Sequence, residues 1–213
     1  MNNINNLKLL SDKIRYVFKA NIAANNNSYT DFLKQSTNII KYYNGTDWIK
    51  YKNILDKYID NSKYDNYKKI KIQITKPDDN FDIYLIAWPR KSKSLIHDHA
   101  DNGCVFKLLE GNLIEELYTP KMIDNNKTIM SIIHKKIVNI GDVSYLHNSI
   151  GYHKIISNYP YCSYSLHIYS PPNYQTKYYT NDKCDIRDKE DKENKEDKEN
   201  EGDKGNKGNK VGK

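Results

Sequence analysis

The chain has 213 residues, 38% hydrophobic and 29% charged, with a formal net charge of +7. That length fits one domain able to bury a real core. The lysines are spread along the chain and interleaved with acids, and no recognition helix or zinc-finger spacing appears, which excludes a dedicated nucleic-acid surface and reads as a solvated face.

Residues 1–66 read as a helical segment packed on the β-rich remainder of the chain. Ile4, Leu7, Leu10, Ile14, Val17 and Phe18 recur at helical spacing, as do Tyr29, Phe32, Leu33, Ser36, Ile39, Ile40 and Tyr43 before Asn44-Gly45. Thr46 is placed to cap a third helix carrying Trp48, Tyr51, Leu55, Tyr58 and Ile59. These stripes are core-facing packing surfaces and carry no chemistry.

Over residues 67–180 the period changes to two, and β-branched and aromatic residues accumulate. The expected strands are Ile70 to Thr75, Phe81 to Trp88, Leu95 to His99, Cys104 to Leu109, Leu113 to Tyr118, Ile129 to His134, Lys136 to Ile140, Val143 to Leu146, Tyr152 to Ile156 and Ser163 to Tyr169. Lys76-Pro77-Asp78-Asp79-Asn80, Glu110-Gly111-Asn112 and Gly141-Asp142 are the turns. Many short strands with frequent turns indicate a mostly β protein, a sandwich or barrel. Residues 181–213 repeat Lys189-Glu190-Asp191-Lys192-Glu193-Asn194 as Lys195 to Asn200 and hold almost no apolar side chain. Such a tail is expected to be disordered, because burial cannot offset its ordering entropy.

The cysteines Cys104, Cys162 and Cys184 form no even disulfide framework, no charged-then-apolar segment opens the chain, and no apolar run is long enough to span a bilayer. A reduced, cytoplasmic protein, monomeric and bound to neither membrane nor nucleic acid, is the expectation.

The most informative feature is His97-Asp98-His99, followed by Cys104 and Gly111. On a strand, residues two apart point the same way, so His97 and His99 present two imidazoles to one side. His153, in Ser149-Ile150-Gly151-Tyr152-His153, is a third candidate. Ser165-Leu166-His167-Ile168-Tyr169 adds a period-2 row of polar groups in an apolar strand. Together they point to an open three-histidine metal site inside a β-barrel.

With these pieces in place the chain resembles the cupin superfamily and, within it, the cysteine dioxygenase family. The first cupin motif has the form HxH, an acid, then Gly. Here it reads His97-x-His99, Cys104, Gly111, and cysteine in place of the acid marks the animal-type members. Trp88, Ile96 to His99, Cys104 to Leu113, Asn148 to His153 and Ser165 to Pro172 carry the likeness, which covers roughly Tyr67 to Asn173. The implied fold is a cupin jelly-roll barrel preceded by N-terminal helices.

The resemblance implies roles. His97, His99 and His153 would be facial ligands to ferrous iron, Fe(2+). Three neutral imidazoles leave the metal its full positive charge, which favours binding a substrate thiolate. Tyr169 would place its phenol at the open face of the metal, and Cys104 would be able to join it through a thioether bond. Ser165 and His167 would form a hydrogen-bond relay that orients Tyr169. A serine-hydrolase reading of that trio fails, because no acid orients the imidazole and no GxSxG elbow exists. Ser170-Pro171 matches a position where the family's peptide bond is cis.

The match departs at the substrate carboxylate. The family holds it with an arginine in Tyr-x-Arg, whereas this chain has Tyr67-Lys68-Lys69-Ile70-Lys71. A gapped alignment gives the anchor to Tyr67 and Lys69, an ungapped one to Lys71. Lysine neutralises a carboxylate as a point charge without the bidentate fork. Arg90 is solvent-facing in this reading, Gln73 shares the parity of the lysines, and His147 is a surface histidine or one behind the ligands. The implied function is cysteine catabolism, with L-cysteine and dioxygen converted to cysteine sulfinate. The alternatives are a dioxygenase for 3-mercaptopropionate or another small thiol, and a metal-binding cupin without turnover.

Overall fold

A computed structural model of the chain describes residues 3–23, 29–59, 69–75, 79–124 and 127–180. The tail at 181–213, the turn residues 76–78 and Tyr67 lie outside the described residues.

Among the described residues, three helices come first: α1 (Leu7–Ala23), α2 (Tyr29–Lys41) and α3 (Ile49–Leu55), the last continuing into a 3-10 turn at Asp56–Tyr58. The apolar stripes are buried as their spacing demands: Ile4, Leu7, Leu10, Ile14, Phe32, Leu33 and Ile40 are all under 5% exposed. Asn6 Oδ1 accepts the Leu9 N–H at 2.8 Å, supplying an acceptor for the first turn of α1. Thr46 does not cap α3 with its hydroxyl. The helix starts after Trp48, so Thr46 stands too far back and gives only its carbonyl to Ile49 N–H, at 3.0 Å. Tyr58, placed by period on the core stripe, is 71% exposed. The tighter 3-10 turn there has three residues per turn and rotates it off that stripe.

Among the described residues, ten strands form two antiparallel five-stranded sheets. They are β1 (Ile70–Gln73), β2 (Asp82–Trp88), β3 (Ile96–His97), β4 (Cys104–Glu110), β5 (Leu113–Asp124), β6 (Lys127–Val138), β7 (Val143–Leu146), β8 (Tyr152–Ser157), β9 (Ser163–Tyr169) and β10 (Tyr178–Tyr179). One sheet runs β1-β2-β9-β4-β7 and the other β10-β3-β8-β5-β6. The protein is mostly β, a jelly-roll barrel with helices against one sheet.

Alternation along β2 shows how the layers are built. Ile83, Leu85 and Ala87 face the helices, with Val105, Leu166 and Ile168 beside them. Ile86 and Trp88 face the barrel interior, with Phe106, Leu108, Leu113, Val138 and Ile155. β2 reads as a nearly unbroken apolar run because both of its faces are covered. Gly111, in the turn after β4, has φ +83, and a Cβ there would run into the Ser163 side chain.

Three expectations need correction. Ile129 to His134 and Lys136 to Ile140 are one strand, β6, and not two. Lys135, the residue between them, pairs in register with Glu116; the bulge lies two residues earlier, where Leu117 pairs with His134 but Tyr118 with Ile132, leaving Ile133 as the extra residue. The strand expected over Leu95 to His99 is confined to Ile96–His97, so His99 lies past its end. β10 went unrecognised, since two residues are too short to show a period.

Lys107 is a buried cation on the helix-facing side. Its Nζ donates to the carbonyls of Lys41 at 2.9 Å and Tyr43 at 2.6 Å, serving carbonyls at and just past the end of α2. Lys107→Met should leave both carbonyls without this donor and destabilise the fold by about 1–3 kcal/mol, read as a lower denaturation midpoint. A midpoint equal to that of the unaltered protein would remove the clamp.

Candidate metal centre

β3 and β8 pair at a single register point, His97 opposite His153, which puts these two imidazoles side by side. Their Nε2 atoms are 3.2 Å apart. His97 Nδ1 is 2.9 Å from the Leu95 carbonyl and His153 Nδ1 is 2.8 Å from Glu115 Oε1. A carbonyl and a carboxylate only accept, so each Nδ1 carries the proton and each Nε2 presents a lone pair. Two buried lone pairs facing at this distance repel unless a cation stands between them.

His99 completes the cluster although it lies beyond the strand. The Asn148 side chain replaces a neighbouring strand: His99 N–H donates to Asn148 Oδ1 at 2.8 Å, and Asn148 Nδ2 donates to His99 O at 2.9 Å. The His99 ring stands 5.3 Å from that of His97 and 4.5 Å from that of His153. Both of its nitrogens are buried without a hydrogen-bond partner. One ligand atom from each of the three histidines lies within 4.8 Å of the others. Orphaned nitrogens, opposed lone pairs and an all-imidazole donor set fit a divalent transition metal.

The electrostatics agree. Burial, then the neighbouring His153, holds His97 and His99 well below the ordinary imidazole range, so both are neutral ligands. Glu115 is buried, which alone would raise its pKa. The hydrogen bond from His153, the Ser144 hydroxyl at 2.6 Å and Lys136 at 3.0 Å overcome that and bring it down to about 2. An ionised carboxylate thus stands directly behind one ligand, fixing its ring orientation and raising its donor strength. The reading from sequence missed Glu115. Its one signal there was an acid at the inward parity of a strand opened by Leu113.

The opposite sheet supplies the second half of the site. Register sets Cys104 opposite Tyr169, Phe106 opposite His167 and Leu108 opposite Ser165. Trp88 Nε1 donates to Ser165 Oγ at 2.7 Å, and Ser165 Oγ lies 2.7 Å from His167 Nε2. Since the indole can only donate, the buried Ser165 proton is paired when it faces His167 Nε2. His167 Nδ1 then carries its proton toward Tyr169 Oη at 3.3 Å, with Cys104 Sγ 3.8 Å away. The Tyr169 phenol and the Cys104 thiol are hydrogen-bonded to each other, and burial pushes the pKa of each upward. Trp88, at the head of this relay, was not assigned that place from sequence.

Lys71 stands opposite Ile86 by the β1–β2 register, and Lys69, the residue before β1, shares its parity. Lys69 Nζ stands 5.9 Å from the Trp88 ring, and its charge helps depress His97, His99 and His167. Lys71 Nζ lies 4.9 Å from the Tyr84 ring. Gln73 donates to Asp82 at 2.7 Å, and Arg90 is exposed. His147 bonds to the Asp101 carbonyl at 2.9 Å and Ser149 Oγ at 2.8 Å, outside the ligand cluster. Cys104 and Cys162 are free thiols, and the Ser170-Pro171 bond is cis. No helix among the described residues is long and apolar enough to cross a membrane.

A barrel of two antiparallel sheets that turns three imidazoles inward is a cupin-type fold with a cluster that could hold a metal ion. A sequence model of the family "Cysteine dioxygenase type I" matches residues 36–182. The chain is 30% identical over 112 residues to cysteine dioxygenase type 1 of Bos taurus, covering 52% of this chain and 55% of that protein. Against the Danio rerio protein of the same name it is 26% identical over 145 residues, covering 66% of each. The chain therefore belongs to the cysteine dioxygenase type I family, while spanning about half the length of the mammalian relatives it matches.

Proposed function

We propose that the protein is an iron-dependent thiol dioxygenase that converts L-cysteine and dioxygen to cysteine sulfinate. The observation that carries this reading is the pairing of a three-imidazole cluster with a Cys104–Tyr169 couple directly opposed in register. Sulfur is oxidised by four electrons, dioxygen is reduced by four, and both oxygen atoms end on sulfur.

His97, His99 and His153 would hold the ion. Iron held there would supply the Lewis acidity and redox chemistry for oxidising a thiol with dioxygen. The chain's own groups do the rest. Glu115 locks the His153 ring through its Nδ1–H. The Trp88–Ser165–His167 relay directs a proton at Tyr169 Oη, and once a thioether has consumed the Cys104 thiol the Tyr169 O–H is left to donate toward the reacting atoms. Trp88 and Phe106, about 1% exposed, exclude water from that side. Cys104 stands where a thioether to Tyr169 forms by loss of the thiol hydrogen and one ring hydrogen, with dioxygen as the oxidant. The reading places the protein in the cytoplasm as a monomer, in keeping with its free thiols.

A lysine in place of an arginine favours a second reading on substrate, 3-mercaptopropionate or another small thiol acid, since a point charge selects the amino-acid head less strictly. Oxygen uptake and sulfinate formation measured with each thiol decide between them. Iron-loaded protein that consumes no oxygen with any small thiol would sink both. Lys69 is the anchor this reading assigns. Lys69→Ala should raise KM for L-cysteine by about tenfold with kcat little changed, while Lys71→Ala has the smaller effect. The reverse order would move the anchor to Lys71.

A further inference from the structure

The middle residue of the HxH motif has no part in the chemistry above, yet Asp98 is only 5% exposed. Its side chain faces the segment Asn173 to Tyr179 and not the ligand cluster. Asp98 Oδ1 accepts the Lys177 N–H at 2.7 Å, Asp98 N–H donates to the Lys177 carbonyl at 3.1 Å, and the Tyr174 phenol also bonds its carboxylate. Asn173 N–H donates to Asp82 Oδ2 at 2.7 Å and ties down the near end. Tyr179 packs edge-on against Tyr152, ring centroids 4.8 Å apart, and closes the far end. The segment is thereby strapped across the strand that carries His97.

The register of that strap sets Tyr178 opposite His97 and Tyr179 opposite Ile96. Tyr178 therefore shares the inward face of His97 while Tyr179 shares the outward face of Ile96. The Tyr178 ring lies 6.1 Å from that of His97, and its phenol is within electrostatic reach of Tyr169. Tyr178 is half-buried, more open to solvent than His97 across the ladder, which is 5% exposed.

We propose that Tyr178 is a specificity-determining residue whose ring walls the mouth of the thiol site and limits the size of thiol admitted, and that Asp98 is the positioning residue that holds it there through the strap. This rests on the thiol reading of the site. A bulky thiol meets the Tyr178 ring before its sulfur reaches the histidine cluster, whereas a thiol the size of cysteine passes. The ring, not the hydroxyl, supplies the wall.

The test uses full-length protein loaded with Co2+ and kept free of oxygen. It is titrated with L-cysteine and with glutathione, following the thiolate-to-cobalt absorption. Tyr178→Ala should shift the preference toward glutathione by about tenfold or more while retaining stoichiometric cobalt, and Tyr178→Phe should keep the original preference. Asp98→Ala should reproduce the shift, and Asp98→Asn, which keeps the acceptor for Lys177, should restore it. Amide hydrogen exchange across Lys177 to Tyr179 should rise in Asp98→Ala; protection equal to the unaltered protein would remove Asp98 from the device, even if cobalt were lost. An unchanged preference in Tyr178→Ala overturns the role of Tyr178 alone. Absence of any thiolate band in the unaltered protein overturns the thiol reading, and this inference with it.

Discussion

His153→Ala is expected to remove bound metal and oxygenase activity together. His153 is the pivot of the cluster, with its ring 4.6 Å from that of His97 and 4.5 Å from that of His99. Disturbing only a ligand's hydrogen-bond partner costs about 10–100-fold in metal affinity, so deleting the ligand itself should exceed that range. The fold should survive the change. Glu115, left without its imidazole, keeps Ser144 at 2.6 Å and Lys136 at 3.0 Å as partners. Elemental analysis of metal content with sulfinate detection reads both effects, and a thermal melt separates them from unfolding. Retention of metal and turnover in the variant would end the ligand assignment.

Tyr169→Phe should separate what His153→Ala joins. The phenylalanine ring can still stack on His167, as the tyrosine does at 5.8 Å and 12°, and the histidine cluster is untouched. Only the hydroxyl at the end of the Trp88–Ser165–His167 relay is lost. Metal content should match the unaltered protein while kcat falls by about 100-fold or more, the scale of one positioned proton donor. Intact-mass measurement should show the thioether, a loss of two hydrogen atoms, in the unaltered protein and not in the variant. A kcat at the original level would place the proton elsewhere.

Much of the architecture was legible in the chain because it is written in local period. The apolar stripes of α1 and α2, the switch to alternation after Lys69, and the turns at Gly111 and Gly141 each reflect a constraint that a few neighbouring residues satisfy alone. His97 and His153 were legible for the same reason, each lying at a fixed parity in a strand. His99 reached the cluster by another route than its parity implied. The strand ends at His97, and the Asn148 amide holds the His99 backbone in its place.

The sequence by itself determined the mostly β class, the helical preface and the set of residues able to ligate a metal, since side-chain chemistry and short-range period suffice for these. Only the tertiary structure decided who stands behind them. Glu115 behind His153, Trp88 behind Ser165 and Tyr178 across from His97 are partners 38 to 81 residues apart in number. Such pairings depend on strand register and on the order of strands in a sheet, and one residue of slip would turn each side chain to the opposite face. Register is settled by the packing of the whole barrel, so no local stretch of the chain contains it.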